Sequence, residues 1–281
     1  METITDIQQM QSRCLALRRD GRRIAFVPTM GYLHEGHLSL LREGRRRGDI
    51  LVLSIFVNPT QFGVNEDLAA YPRDLERDSD LARSAGVDLL FTPSAASMYS
   101  AGYATYVDVG GLTETLCGAS RPGHFRGVTT VVTKLFSIVQ PHLALFGQKD
   151  FQQLAVIRRM TLDLNLPVEV VGMPIVREPD GLAMSSRNVY LSQEERRQAL
   201  ALSRALATAR RLAGEGVHAA EEVLSAAQGL IESQPQAHID YLQICHQLTL
   251  REQERVDADS VLLMAVFVGK TRLLDNGFLL S

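Results

Sequence analysis

The sequence predicts an α/β fold: a Rossmann-like, doubly wound parallel sheet with a smaller C-terminal α+β domain. Over residues 1–176, short apolar runs alternate with longer amphipathic stretches, which is typical of strands joined by right-handed helical crossovers. After residue 177 the pattern becomes two helices followed by two strand-like runs. The turn signal Pro179-Asp180-Gly181 lies at this change. We therefore expect one domain over residues 1–176 and a second over residues 177–281.

Each element of the first domain has its own signal. The apolar run from Ile50 to Val57 ends at Asn58-Pro59, as a strand buried on both faces would. Apolar side chains between Val128 and Val139 recur at helical spacing and form one face. The predicted strands cover residues 24–27, 50–57, 88–91, 143–146 and 168–176, and the predicted helices cover residues 36–47, 74–85, 128–139 and 151–162.

The second domain should open with a helix, because Ser192 and Glu195 have the spacing of a capping box. Apolar residues from Ala199 to Ala213 lie on one face of this helix, and Gly214-Glu215-Gly216 ends it. A second helix should reach about residue 233. Two strands should follow, over residues 239–245 and 261–268, with a polar loop between them.

Composition excludes several classes of protein. The chain has 281 residues, of which 46% are hydrophobic and 22% charged, so it can bury a core without a disulfide or metal. A net charge of −3 argues against a protein that coats nucleic acid. The sequence contains no apolar run of membrane-spanning length and begins with acidic and polar residues, so we expect a cytoplasmic protein without a membrane partner. Cys14, Cys117 and Cys245 are widely spaced, which predicts reduced, buried thiols.

Three familiar motifs are not matched by the sequence. Gly269-Lys270-Thr271 ends like a phosphate-binding P-loop, but Met264 stands where that loop needs glycine. A Gly-x-Gly-x-x-Gly fingerprint of dinucleotide-binding folds does not occur. His34 and His37 are three positions apart, whereas the histidines of a zinc-protease helix are four apart.

One segment carries the signal of a phosphate site. The strand that ends near Val27 runs through a turn into a helix, and His34 and His37 stand at the start of that helix. Open α/β folds bind ligands at the carboxyl ends of their strands, and a helix N-terminus offers free backbone N–H groups to an anion. Two imidazoles on one side of the helix can donate hydrogen bonds to charge that develops on a phosphoryl group. The alternative is a pair of polar surface histidines, which the strand–turn–helix context disfavours.

His34-x-Gly36-His37 after a strand resembles the signature of the HxGH nucleotidyltransferase superfamily. The later segment Met184-Ser185-Ser186-Arg187 is similar to the superfamily's second, phosphate-closing loop; its alternative is an ordinary polar turn between domains. Five further segments, taken together and in order, resemble the pantothenate synthetase (pantoate–β-alanine ligase) family. They are Val27-Pro28-Thr29-Met30-Gly31, Phe56-Val57-Asn58-Pro59-Thr60-Gln61-Phe62, Tyr71-Pro72-Arg73, Ser120-Arg121-Pro122-Gly123-His124-Phe125-Arg126-Gly127-Val128 and Phe146-Gly147-Gln148-Lys149-Asp150-Phe151-Gln152-Gln153.

The resemblance implies an AMP-forming ligase that joins (R)-pantoate to β-alanine in the biosynthesis of a coenzyme A precursor. The pantoate carboxylate would attack the α-phosphate of ATP to give pantoyl adenylate and pyrophosphate. The amine of β-alanine would then displace AMP. The family also implies a homodimer, and Mg²⁺ should neutralise the phosphates of ATP. Because the adenylate would hydrolyse if water reached it, we expect the C-terminal domain to close over it as a lid, with residues 177–181 as the hinge.

The resemblance also assigns residues to ATP. His37, His34, Lys149 and Arg187 would be catalytic, and Asp150 would hold the ribose unless it only caps a helix. Gln148 departs from the family, which usually has glutamate there. The implied ATP-binding residues are Met30, Gly31, Tyr32, Leu33, His34, Glu35, Gly36, His37, Gly147, Gln148, Lys149, Asp150, Val176, Met184, Ser185, Ser186 and Arg187.

Gln61 and Gln153 would bind pantoate by the same resemblance, and Gln61 would also meet β-alanine. Asn58, Tyr71 and Arg121 are weaker candidates for the same pocket. The metal ligands are unknown: phosphates should supply most of them. Asp78 is a candidate outer ligand, although an exposed carboxylate on a surface helix is the interpretation that we favour from the sequence.

Two other functions stay open at this point. One is a different HxGH enzyme that transfers a nucleotide to a phosphorylated acceptor and needs no amine. The other is a nucleotide-binding regulatory protein with an inactive site. The presence of His34, His37, Lys149 and Arg187 together argues against a protein that only senses a nucleotide.

Overall fold

A computed structural model describes residues 1–64 and 66–280. These residues form two compact units. The first unit comprises Met1–Glu114, Arg121–Gln148 and Gln153–Pro174, and the second comprises Thr115–Ser120, Lys149–Gln152 and Ile175–Ser281.

A six-stranded sheet forms the centre of the first unit. Its strand order is β1-β4-β3-β2-β5-β6, and every neighbouring pair is parallel. The strand order reverses at β2, because the chain first adds β3 on one side of it and later adds β5 on the other. Ligands of open α/β sheets bind in the crevice at such a reversal, beyond the carboxyl ends of the strands. The six strands are β1 (Glu2–Ile4), β2 (Ile24–Thr29), β3 (Ile50–Ile55), β4 (Leu89–Phe91), β5 (Leu143–Gly147) and β6 (Glu169–Met173).

Helices flank this sheet. The central strands are apolar on both faces, and Ala25, Leu51, Leu53 and Leu145 have no exposed side-chain surface, as expected for a covered parallel sheet. The helices of the first unit are α1 (Ile7–Arg19), α2 (Glu35–Arg47), α3 (Leu75–Ser84), α4 (Ala95–Met98), α6 (His124–Val139) and most of α7 (Phe151–Asp163), whereas the short α5 (Cys117–Ser120) belongs to the second unit.

The second unit is built around a three-stranded antiparallel sheet in the order β7-β8-β9. Two helices supply the other half of its core. Ser192 and Glu195 cap the first of them reciprocally, so the predicted capping box is confirmed. The elements are α8 (Gln193–Gly214), α9 (Ala220–Glu232), β7 (Ala237–His246), β8 (Ser260–Val268) and β9 (Thr271–Phe278).

The predicted fold class is confirmed, but β1, α1, β9 and the four-residue helices α4 and α5 were not predicted. The strand β1 has only three residues, too few to show a period. The helix α1 is mostly polar, and its buried residues are only Met10, Cys14 and Leu17. The strand β9 places polar Asp275 and Asn276 in buried positions, which hides its alternation. Gly269 and Lys270 form the turn into this strand, in keeping with the failure of the P-loop motif.

The three cysteines are free and buried, as predicted. Burial raises the pKa of the Cys14 and Cys245 thiols to about 12, so both stay protonated at neutral pH. Among the helices of the described chain, not one has the length and apolarity needed to cross a membrane.

Candidate active site

The turn between β2 and α2 has an unusual backbone. Gly31 has a φ of +89° and Tyr32 a φ of +51°, so two successive residues lie in the left-handed region. Glycine adopts this region freely, whereas a tyrosine there is disfavoured by contact of its Cβ with the backbone. The Thr29 hydroxyl accepts the Gly31 N–H at 3.3 Å and donates to the Ser54 carbonyl of β3 at 2.8 Å, which ties the turn to the neighbouring strand.

His34 and His37 cap α2 reciprocally. His34 is the N-cap residue, and its Nδ1 accepts the Gly36 N–H at 3.1 Å. Nδ1 of His37 accepts the His34 N–H at 3.3 Å. The two ring centroids are 4.0 Å apart, so the histidines lie on one side of the helix start, as predicted.

These contacts assign the tautomer of both imidazoles. A nitrogen that accepts a backbone N–H carries a lone pair, so the ring proton of each neutral histidine belongs on Nε2. Each ring can then donate from Nε2 while its Nδ1 is held by the backbone. Two donors side by side at a helix N-terminus form a site suited to a phosphoryl group.

The carboxylate of Asp78 binds the backbone of the turn between β2 and α2. It is the fourth residue of α3, and its side chain is only 1% exposed. Its Oδ2 accepts the Tyr32 N–H at 2.6 Å, and its Oδ1 accepts the Leu33 N–H at 2.7 Å. Burial raises the pKa of this carboxyl, an effect that the two N–H groups and Arg77 oppose. The expectation of an exposed surface carboxylate was therefore wrong.

Gln61 lies in a short 3₁₀ turn (Pro59–Gln61) that follows β3. Its Oε1 accepts from Nδ2 of Asn58 at 3.1 Å, and its Nε2 lies 3.2 Å from the sulfur of Met30. Asn58 is 1% exposed, and its Nδ2 also donates to the Gly127 carbonyl at 3.1 Å. The structure therefore brings Gln61 and Asn58 together with Met30, which belongs to the turn between β2 and α2 that leads to His34 and His37.

The backbone of Gln61 is fixed from α6. Nδ1 of His124 lies 2.8 Å from the Gln61 carbonyl, and Arg121 donates to the same oxygen at 3.3 Å. Gly127 allows the close approach, because a Cβ at that position would stand 2.4 Å from the Thr60 carbonyl oxygen.

Arg121 is itself held by a carboxylate. Its guanidinium pairs with both oxygens of Glu66, at 2.7 and 2.5 Å. Burial opposes ionisation of Glu66, but the Arg121 guanidinium holds the pKa of this carboxyl below its usual range. The Arg121 guanidinium, which Glu66 holds in place, therefore helps to fix the Gln61 carbonyl.

The remaining predicted residues of the first unit lie at strand and helix ends, except Tyr71, which lies in the loop before α3. Gly147 ends β5, the strand beside β2, and Gln148 follows it. Gln153 is the third residue of α7 and is half-buried, and Tyr71 is buried.

The predicted residues of the second unit fall in two segments. Lys149 lies in a 3₁₀ turn (Gln148–Asp150), and its carbonyl accepts from Nδ2 of Asn276 at 2.8 Å; Asp150 is exposed. Met184 belongs to a tight hairpin, because its N–H donates to the Val176 carbonyl at 3.0 Å. The hydroxyl of Ser185 accepts the Arg187 N–H at 3.2 Å and caps the 3₁₀ helix Ser186–Tyr190, which carries buried Ser186.

An ion pair anchors that hairpin. Arg177 pairs with both carboxylate oxygens of buried Asp275, at 2.7 and 2.8 Å, and also donates to the Gly181 carbonyl. Arg196 pairs with Glu178 and Asp180. The turn at residues 177–181 is therefore bonded into the second unit.

A family model described as pantoate–β-alanine ligase matches residues 2–278 of the chain. The chain belongs to the pantoate–β-alanine ligase family. The pantothenate synthetase of Syntrophotalea carbinolica is 67% identical over 281 residues, which cover 100% of this chain and 99% of the relative. That of Trichlorobacter lovleyi is 63% identical over 98% of both chains.

Solved structures of the pantoate–β-alanine ligase family have the same fold. A crystal structure of pantothenate synthetase from Thermus thermophilus is 49% identical, with a TM-score of 0.95 and full coverage of both chains. The pantoate–β-alanine ligase of Francisella tularensis, complexed with β-γ ATP and β-alanine, is 31% identical, with a TM-score of 0.82, and the match covers 99% of this chain and 98% of that one.

Sequence reasoning missed the residues that position the pantoate–β-alanine ligase motifs. Asp78 accepts the N–H of Tyr32, 46 positions away, and Glu66 pairs with Arg121, 55 positions away. His124 contacts the carbonyl of Gln61, 63 positions away. A helical pattern with Asp78 on the apolar face of α3 was the signal that could have revealed its burial.

Proposed function

We propose that this chain condenses (R)-pantoate with β-alanine at the expense of ATP, giving pantothenate, AMP and pyrophosphate through pantoyl adenylate. One observation carries the proposal. Two histidines whose Nδ1 atoms accept backbone N–H groups stand together at a helix N-terminus, in the turn after the strand at which the sheet order reverses. That geometry suits the stabilisation of charge on a phosphoryl group.

In the first step, a carboxylate oxygen of pantoate attacks the α-phosphorus of ATP and the bond to pyrophosphate breaks. Negative charge grows on the phosphate oxygens as the leaving group departs. The Nε2–H groups of His34 and His37 donate to these oxygens, and the cationic side chains of Lys149 and Arg187 neutralise the polyphosphate. In the second step, the amine of β-alanine attacks the acyl carbon and AMP leaves.

Gln61 and Gln153 hold pantoate in this scheme. An uncharged amide can donate to a carboxylate and leave it nucleophilic, whereas a cation would stabilise the nucleophile before it attacks. The Nε2 of Gln61 faces Met30, on the side of the histidine turn, which supports this assignment. The same amide would meet β-alanine after the adenylate forms.

The rest of the ATP contacts follow the family motifs. The turn Met30–His37 would contact the nucleotide through backbone and imidazole groups, Gly147 and Gln148 would flank it, and Asp150 would bind the ribose. Val176 would line the adenine site, and Met184, Ser185, Ser186 and Arg187 would clamp the triphosphate.

Mg²⁺ enters this scheme as a complex with ATP. Within residues 1–64 and 66–280, the side chains form no cluster of three or more His, Cys, Asp or Glu that could hold a metal. The protein therefore lacks a metal cage of its own there, and phosphate oxygens would supply most of the ligands, as is usual for Mg²⁺ bound to nucleotides.

A cytoplasmic homodimer is the assembly that we propose, together with a lid role for residues 177–281. An acyl adenylate hydrolyses if water reaches it, so closure over the intermediate would protect it. Residues 177–181 are bonded into the second unit, and the hinge at these residues stays a prediction.

Exchange of labelled pyrophosphate into ATP tests the function. The chain should catalyse this exchange when pantoate is present and β-alanine absent, because adenylate formation is reversible and needs no amine. A nucleotidyltransferase would exchange only with its own phosphorylated acceptor, and a sensor protein would not exchange at all. Either of those outcomes would overturn the proposal.

A further inference from the structure

We propose that Asp78 is a positioning residue for adenylate formation: its carboxylate fixes the turn that sets the orientation and tautomer of His34 and His37. The predicted effect on kcat rests on the proposed function, whereas the predicted effect on the histidine tautomers does not. It assigns a role to a residue of α3 that need not touch any substrate.

The turn needs an anchor because its backbone is disfavoured. Tyr32 has a φ of +51°, and a residue other than glycine persists in the left-handed region only where its surroundings hold it. Successive backbone N–H groups in a turn form a concave site for an anion. The N–H groups of Tyr32 and Leu33 form such a site, and the two oxygens of Asp78 occupy it at 2.6 and 2.7 Å.

Gly31 and Arg77 also fit closely around Asp78 and the turn that it binds. A Cβ on Gly31 would stand 3.0 Å from Oδ2 of Asp78 and 3.0 Å from Ile55, so glycine lets the turn settle onto the carboxylate. Arg77 donates to the Leu33 carbonyl at 2.9 Å, and its guanidinium lies 5.1 Å from the centre of the Tyr32 ring. Neighbouring residues of one helix thus bind both an N–H and the C=O of Leu33.

A single peptide bond joins Leu33, which Asp78 holds, to His34. His34 directly follows Leu33, and its backbone N–H is the donor to Nδ1 of His37. If the Leu33–His34 peptide turns, this hydrogen bond and the N-cap contact to Gly36 are lost together. Either imidazole can then protonate Nδ1 instead, which points the lone pair of Nε2 at the phosphate.

Asp78→Asn keeps the size of the side chain, replaces one acceptor oxygen by an NH₂ donor and removes the negative charge. The carboxamide oxygen can accept one of the two N–H groups, while its NH₂ faces the other N–H and repels it. We expect the kcat of pantoate-dependent pyrophosphate exchange to fall about 10–100-fold, as small misplacements of catalytic groups do. The KM for pantoate should change little, because Gln61 is held by Asn58 and α6.

Long-range ¹H–¹⁵N correlation spectra of the histidine rings supply the readout that a merely structural role would not move. In the unsubstituted protein, His34 and His37 should both show the Nε2–H tautomer, with signals assigned from single His→Gln substitutions. In Asp78→Asn, at least one ring should show Nδ1–H or a mixture. This spectrum needs no substrate, so it tests the inference even where exchange activity is absent.

Asp80→Asn is the matched control. Asp80 lies on the same helix, is exposed, and pairs only with Arg83 among the described side chains. Asp78→Glu is the second variant; it keeps the charge but is longer, and it should fall between the other two. The proposal is overturned if Asp78→Asn leaves both tautomers unchanged, or if the tautomers change while kcat does not. It is also overturned if kcat falls only in proportion to a loss of folded protein measured by circular dichroism.

Discussion

Replacing His37 by alanine should lower the kcat of pyrophosphate exchange by about 10²–10³-fold, the usual cost of removing one donor to transition-state charge. The KM for ATP should rise much less, because in the proposed scheme other residues, Lys149 and Arg187 among them, also bind the triphosphate. The loss should appear mainly in kcat, since the charge that Nε2–H meets develops during the reaction.

One further variant distinguishes the loss of the hydrogen-bond donor from the loss of the imidazole ring, and another serves as a control. His37→Gln places an amide N–H near the position of Nε2 and should recover part of the lost rate. His238→Ala removes an exposed histidine of β7 and should leave kcat unchanged. A normal kcat for His37→Ala would show that this histidine takes no part in the reaction.

Gln61→Glu should raise the KM for pantoate by about 100-fold or more, because like charges placed against each other cost several kcal/mol. The introduced carboxylate would face the carboxylate of pantoate in the position now taken by an amide. Lowering the pH should reduce this penalty, since protonation of the introduced carboxyl removes the repulsion and gives it an O–H to donate. The measurement is the KM for pantoate in the exchange reaction as a function of pH.

Gln61→Met and Gln8→Glu are the controls for that experiment. Gln61→Met removes the amide without adding charge, so its KM should rise less and should not recover at low pH. Gln8→Glu adds the same charge at an exposed position of α1 and should have no effect. A normal KM for Gln61→Glu would show that pantoate binds elsewhere.

The fold was predictable because periodicity and capping are local. The buried run of β3 and the capping box of α8 depend on residues a few positions apart, and both appear as expected. The strand β9 was not predictable in this way, because Arg177 neutralises Asp275 inside the second unit from 98 positions away. A polar residue at a buried strand position is visible in sequence only when its partner is also known.

The same limit applies to the site. His34 and His37 were found because a strand, a turn and a helix start follow one another within a dozen residues. The burial of Asp78 was not found, since its partners are the backbone N–H groups of Tyr32 and Leu33, and backbone groups leave no mark in a sequence. Side chains that act on the backbone of a distant turn need coordinates to be recognised.

In the proposed reaction, the carboxylate of pantoate becomes bonded to the α-phosphorus of ATP before the amine reacts. Pantoate labelled with oxygen-18 in both carboxylate positions tests it directly. If the adenylate forms, the bridging oxygen stays on phosphorus when β-alanine attacks, so mass spectrometry should find one labelled oxygen in AMP and one in pantothenate. Label in inorganic phosphate or pyrophosphate, or AMP without label, would rule out pantoyl adenylate as the intermediate.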